Sequence, residues 1–273
     1  MVKGEGLVKA KLRILVIGML MLCLTACNKE KEETHTEISP PETKVTKTEE
    51  IGSRQELAAI APADRLEGKD MDNPAGMLQE SSASVMVQIL AGNLKGSGVI
   101  AYSNEEEVWI MTAAHVLANM EETVKITFYD GYVVEAKDIE YMETQDMAVI
   151  KLPRKALVCQ SSDEIMDHGQ IYRTVILERD AFDASGTGDL VIAMGSKSGV
   201  AQEAYAGVIL KDYVFLEDFG AYMILADVFV TPGMSGGGLF DAKGRLLGIL
   251  CGISEDGEVA VAPVTAILAM LDL

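Results

Sequence analysis

The sequence predicts an all-β fold, a barrel or sandwich, over residues 83–273. Three observations predict it. Short runs rich in Val, Ile and Leu recur from residue 83 onward, each bounded by Gly, Asp, Asn or Ser. Hairpin signals lie between them, such as Asp130-Gly131 flanked by two apolar runs. Helical periodicity is almost absent until the C-terminus. With 273 residues, 49% of them hydrophobic, the chain can bury one sizeable core of about 200 residues and still carry extensions.

The first segment is a targeting signal. Lys3, Lys9, Lys11 and Arg13 precede a charge-free apolar run of 14 residues, Ile14 to Cys27. A membrane-spanning helix needs roughly 20 apolar residues, so this run fits the core of a signal peptide. It ends Leu24-Thr25-Ala26-Cys27, which resembles a bacterial lipobox. The resemblance implies cleavage after residue 26 and diacylglyceryl attachment to the Cys27 thiol. Cleavage removes four basic residues and Glu5, taking the formal charge from −19 to −22. An acidic protein gains nothing electrostatically at an anionic membrane, so the lipid would have to hold it there. With no basic cluster beyond the N-terminus, the charge also argues against a nucleic-acid partner.

Residues 27–52 are charged, Thr- and Pro-rich and nearly free of apolar side chains. They read as a disordered tether, and His35 within it has no expected chemistry. Residues 53–82 form an N-terminal extension, partly helical. Ser53 is a candidate N-cap with Glu56 three residues on, Pro62 ends or kinks that helix, and Asp72-Asn73-Pro74-Ala75-Gly76 reads as a further break. The domain itself spans 83–273. Its expected strands are 85–90, 96–101, 108–111, 124–128, 132–136, 147–152, 190–194, 206–210, 222–226, 238–240 and 246–251, closed by a short C-terminal helix over 262–271. Residues 160–188 are polar and read as a long loop or insertion. Beyond Cys23 and Cys27, only Cys159 and Cys251 remain, as a disulfide or as two buried thiols. No CxxC or Cys/His spacing suggests zinc, and neither metal nor cofactor is expected.

The chemistry centres on Thr231-Pro232-Gly233-Met234-Ser235-Gly236-Gly237-Gly238. Glycines let a backbone adopt positive φ and aim two N–H groups at one spot beside a hydroxyl, the layout of a nucleophile with an oxyanion hole. A serine hydroxyl needs a base, and the base needs a carboxylate to orient it. His115 follows a strand in Thr112-Ala113-Ala114-His115, and Asp146 opens one in Asp146-Met147-Ala148-Val149-Ile150-Lys151-Leu152. Each alone has a plainer reading: a tight turn, a capping histidine, a solvated turn acid.

Taken together, these three motifs in the order His, Asp, Ser resemble the chymotrypsin-like serine proteases, and most of all their bacterial HtrA/Deg-type branch. Gly96-Ser97-Gly98-Val99-Ile100, the Asp130-Gly131 turn, Gly244-Arg245-Leu246-Leu247-Gly248-Ile249 and Val261-Ala262-Pro263-Val264 add to the resemblance. It implies a double six-stranded β-barrel with the site in the cleft between barrels. It implies Ser235 as nucleophile, His115 as general base and acid, Asp146 as orienting carboxylate, and the N–H groups of Gly233 and Ser235 as oxyanion hole. Substrates would be proteins or peptides. Met234 departs from the pattern: the residue before the serine is Asp in digestive enzymes and usually Asn in the HtrA branch. Activation by a newly cleaved N-terminus then has no acidic partner. The residue six before the serine is Phe229, and Val230, Cys251 and Gly252 are the neighbouring pocket candidates. None is charged. Phe229 at the base implies a shallow pocket for small or medium aliphatic side chains, or else is a core residue pointing away from the cleft; Cys251 lines the cleft or is a buried apolar strand residue. Only 21 residues follow Gly252, so no PDZ-like module is expected. The function implied is a membrane-anchored extracytoplasmic serine endopeptidase; the alternative is an inactive relative that binds or senses at the envelope.

Overall fold

The alternation of apolar and polar residues builds two β-units with a short bridge between them. The computed structural model describes residues 74–142, 145–160, 165–197, 201–254 and 256–271. The signal segment, the tether and the Ser53 helix lie outside the described residues. A helix, α1 (Pro74–Ser82), precedes the first unit. Strands β1 (Met86–Ala91), β2 (Leu94–Ser103), β3 (Glu107–Ala113), β4 (Val124–Phe128), β5 (Val133–Ala136), β6 (Asp138–Met142) and β7 (Met147–Pro153) follow. They pair antiparallel in the order β5-β4-β1-β2-β3-β7-β6. A two-stranded ribbon, β8 (Val158–Gln160) and β9 (Ile165–Asp167), and a short helix α2 (Arg179–Asp183) lead to the second unit. There β10 (Leu190–Ser196), β11 (Gln202–Leu216), β12 (Ala221–Val228), β13 (Gly238–Asp241), β14 (Leu246–Ile253) and β15 (Val259–Pro263) close into a barrel, and α3 (Val264–Leu271) ends the described chain.

The double-barrel expectation is met, with one change in the first half. That half is a seven-stranded half-barrel sheet rather than a six-stranded barrel. The added strand, β6, pairs with β7 from Asp138↔Lys151 to Met142↔Met147. None of its five residues is fully buried, so no apolar run marked it. Pro74 does not break the chain but opens α1, where its missing N–H is one that a helix start leaves unpaired anyway. β11 runs six residues past its expected end, and residues 160–188 contain β9 and α2 rather than one long loop. The last helix starts at Val264 because Val259–Pro263 pairs with β12 and β14.

One cluster of buried residues fills the first unit, among them Ile89, Val99, Ile110, Ile126, Phe128 and Ile150, and continues into the closed barrel through Ile192, Met194 and Phe240. A second fills the closed barrel with Val191, Ile209, Ile224, Leu239, Leu247 and Val261. Each such side chain contributes about 1.5–3 kcal/mol by leaving water. Cys159 is exposed and Cys251 buried, and both are free thiols.

Candidate active site

Strand register places the first two residues of the site. β3 pairs with β7 through Thr112↔Ala148 and Ala113↔Met147. Continuing one residue beyond that pairing brings Ala114 opposite Asp146, and the Ala114 N–H donates to the Asp146 carbonyl at 2.9 Å. The chain then turns through a short 3-10 helix, Ala114–Leu117, pinned by the buried Val116 and Leu117. His115 lies at the open side of that turn. Asp146 holds it at two points: Oδ1 accepts the His115 backbone N–H at 2.9 Å, and Oδ2 lies 2.7 Å from Nδ1. A carboxylate oxygen accepts, so this contact favours the hydrogen on Nδ1 and, in a neutral ring, leaves Nε2 as the acceptor. That is the tautomer a general base needs. Asp146 itself stands at φ +51°, the sole positive φ at a non-glycine among the described residues.

Ser235 sits in the loop between β12 and β13. Each peptide around it is held by a specific hydrogen bond. The Met234 N–H donates to Thr231 O at 3.1 Å, and the Gly233 carbonyl accepts from Ser97 Oγ at 2.6 Å. The Met234 carbonyl accepts from the Gly237 N–H at 2.8 Å. The Ser235 carbonyl accepts from the Ser97 N–H at 2.7 Å, and the Gly236 N–H donates to Leu250 O at 2.8 Å. The N–H groups of Gly233 and Ser235 have no acceptor among the described residues. These are the two N–H groups that the sequence singled out.

Glycine is required where this loop meets the first unit. Gly236 has φ +81°, and a Cβ there would come within 2.2 Å of Ser97 O and Thr112 Oγ1. Thr112 is three residues before His115, so the serine loop presses against the strand end that carries the histidine.

Met234 takes a part that its identity did not suggest. Its side chain is 2% exposed and packs in the core of the closed barrel. Its sulfur lies 3.3 Å from the Thr231 N–H. Gly195 on β10 makes the room, since a Cβ there would lie 2.8 Å from Met234 Cα and Cγ. An apolar anchor therefore stands where the digestive enzymes have a charged one.

The pocket candidates separate. Val230 packs on the barrel core and Gly252 is half-buried at the end of β14. Two expectations are corrected. Phe229 is 64% exposed and meets Tyr205 edge-on at 4.8 Å, so it neither floors a slot nor joins the core. Cys251 is 1% exposed and does not line a cleft; its thiol lies 3.6 Å from the Asp146 carbonyl, behind that residue. Burial, and next the Asp146 charge, push the Cys251 thiol well up and keep it protonated. The aliphatic preference drawn from Phe229 loses its basis.

Sequence reasoning also missed a polar group beside the loop. Thr231 Oγ1 donates to Glu203 Oε2 at 2.5 Å, and Glu203 Oε1 receives Lys197 Nζ at 2.7 Å. The partners are 28 residues apart in the chain, and no local pattern links them. Hydrogen bonds from Lys197 and then Thr231 hold the Glu203 carboxyl below its usual range. Among the described residues, no group of three or more His, Cys, Asp or Glu is placed to hold a metal ion.

Comparison with known proteins agrees with this geometry. The sequence pattern of the trypsin-like peptidase domain matches residues 96–249, more than half of the chain. The chain is 30% identical over 168 residues to the HhoB protein of Synechocystis, covering 60% of this chain and 35% of that protein. It is 27% identical over 169 residues to the periplasmic pH-dependent serine endoprotease DegQ of Escherichia coli, covering 61% and 33%. It is 29% identical over 170 residues to the serine protease Do-like HtrA of Bacillus subtilis, covering 59% and 34%. The chain thus spans about a third of the length of these relatives.

Proposed function

Because the chain belongs to the trypsin-like peptidase domain family, we propose that it is an extracytoplasmic serine endopeptidase that cleaves proteins or peptides by acyl transfer to Ser235. Ser235 Oγ attacks the scissile carbonyl while His115 Nε2 takes its proton. Asp146 holds the ring and stabilises the imidazolium that forms. The tetrahedral oxyanion lies between the N–H groups of Gly233 and Ser235. His115 returns the proton to the leaving amine, and water then hydrolyses the acyl-enzyme by the same steps in reverse.

The observation that carries this reading is the pairing of two features. Asp146 holds His115 at two points, Oδ1 at the backbone N–H and Oδ2 at ring Nδ1, while the loop bonds leave the N–H groups of Gly233 and Ser235 without acceptors among the described residues. An oxyanion-hole donor of this kind is worth about 10²–10³ in kcat. The buried Met234 anchors the serine loop in the barrel core. For location, we infer lipid attachment at Cys27, which rests on the basic N-terminus, the short apolar run and Leu24-Thr25-Ala26-Cys27.

One experiment tests both parts. Cells producing the full chain are treated with a fluorophosphonate probe and fractionated. The labelled band is expected in the membrane fraction, lost in Ser235→Ala, strongly reduced in His115→Ala, and moved off the membrane or left unprocessed in Cys27→Ser. An unlabelled wild-type protein contradicts the peptidase reading, and a Cys27→Ser protein that behaves as wild type contradicts the anchor.

A further inference from the structure

Ser97 occupies a place that the reaction scheme above does not use. It lies on β2 between Gly96 and Gly98 and is completely buried. Four hydrogen bonds of 2.8 Å or less converge on it. Its hydroxyl donates to the Gly233 carbonyl at 2.6 Å and accepts the Ser196 N–H at 2.8 Å. Its N–H donates to the Ser235 carbonyl at 2.7 Å. Its carbonyl accepts Thr112 Oγ1 at 2.7 Å. Ser97 thus ties the first sheet to β10 of the closed barrel and to both residues whose N–H groups have no acceptor among the described residues.

Gly233 depends on that tie. It stands at φ +98°, and a Cβ there would meet nothing within 4 Å. No side-chain packing therefore fixes its orientation. The peptide it forms with Met234 is held at only two points, Thr231 O on the N–H side and Ser97 Oγ on the carbonyl side. Without the hydroxyl, the carbonyl side has no partner, and Gly233 can turn about its own axis with little steric cost. Only a hydroxyl serves here, since one atom must both donate and accept in a space bounded by glycines.

We propose that Ser97 is the positioning residue of the oxyanion hole. Its hydroxyl bridges the Gly233 carbonyl and the Ser196 N–H, holds the Gly233–Met234 peptide, and so limits the rotation at the Gly233 Cα that would swing the Gly233 N–H away. This rests on the serine peptidase reading of the same site. Ser97 touches no reacting atom; it acts through Gly233.

The test is Ser97→Ala in the full chain, with Ser97→Cys as a variant of nearly native size and a weaker donor should the alanine protein not fold. On a peptide substrate, kcat falls about 10–100-fold at nearly unchanged KM, a partial loss of one oxyanion donor. The inhibition constant of a peptide boronic acid, whose adduct places an oxygen in the hole, weakens by the same factor. In ¹⁵N–¹H spectra the Gly233 and Met234 amide signals shift or broaden. A loss carried in KM, or a variant with wild-type kcat and unmoved Gly233 and Met234 amides, overturns the proposal. Should the wild type show no Ser235-dependent turnover, the peptidase reading fails on its own, and the two amide signals still decide whether Ser97 orients Gly233.

Discussion

At Asp146 the backbone is held at φ +51°, a left-handed conformation that costs an ordinary residue about 1–2 kcal/mol. All three of its oxygens are engaged: the carbonyl by Ala114 N–H, Oδ1 by His115 N–H and Oδ2 by His115 Nδ1. The unusual φ lets one residue serve the turn and the ring at once. Asparagine tolerates the same conformation and can still accept from the His115 N–H, but its amide can present an N–H to Nδ1 and favour the wrong tautomer. Asp146→Asn is therefore expected to lower kcat by about 10⁴ while shifting unfolding stability by less than about 1 kcal/mol. Steady-state kinetics beside a urea titration checks both halves. At this scale the sequence was legible at His115 and Asp146, two residues 31 apart in the chain that the fold pairs. It was opaque where one side chain has two environments to choose from. Met234 looked like a missing charge and is a core anchor; Phe229 looked like a pocket floor and stands in solvent.

Among the elements, the stretch after β7 departs most from expectation. Its polar residues read as a long loop or insertion, yet several find partners. His168 Nδ1 lies 2.7 Å from Asp130 Oδ2, and the Tyr172 hydroxyl donates to Asp130 Oδ1 at 2.9 Å. Tyr132 stacks on His168 at 3.8 Å, and Phe128 stacks on Tyr172 at 4.2 Å. The excursion is thereby fastened to the β4–β5 hairpin. Burial pushes the Asp130 carboxyl up, but hydrogen bonds from His168, the Tyr132 N–H and Tyr172 outweigh it and leave it below its ordinary value of 3.8. A carboxyl lowered in the folded state adds stability that is full above the unfolded value and fades as pH falls through the folded one. Asp130→Asn is expected to be less stable than wild type by about 1–3 kcal/mol at pH 6, with the difference shrinking as pH drops below 3.8. Thermal unfolding of both proteins across that range measures it; a gap that stays constant or widens contradicts the latch. Alternation alone could not reveal this arrangement, because Asp130 and His168 are 38 residues apart.

For the whole molecule, the site exists only where the two β-units meet. His115 and Asp146 come from the first sheet and Ser235 from the closed barrel. The contacts across the seam include short polar ones, Ser97 to Ser235, Gly233 and Ser196, and the Gln88 amide to Lys197 O at 2.6 Å, beside an apolar cluster that holds residues of both units, such as Ile89 and Ile192. The Cys251 thiol adds a weak contact at the Asp146 carbonyl. An all-β fold was readable because strand periodicity and turn residues are local properties, whereas its division into two barrels came only from the resemblance to the chymotrypsin-like proteases. The seam was not, since it follows from how two finished units dock. The central claim is that this docking produces a nucleophile that accepts an acyl group. Acid quenching of the full chain during turnover of an activated peptide ester, followed by mass mapping, tests it most directly. The account predicts one acyl group on the peptide containing Ser235, absent in Ser235→Ala and formed far more slowly in His115→Ala. Ester turnover with no adduct at Ser235, or an adduct on another residue, would contradict it.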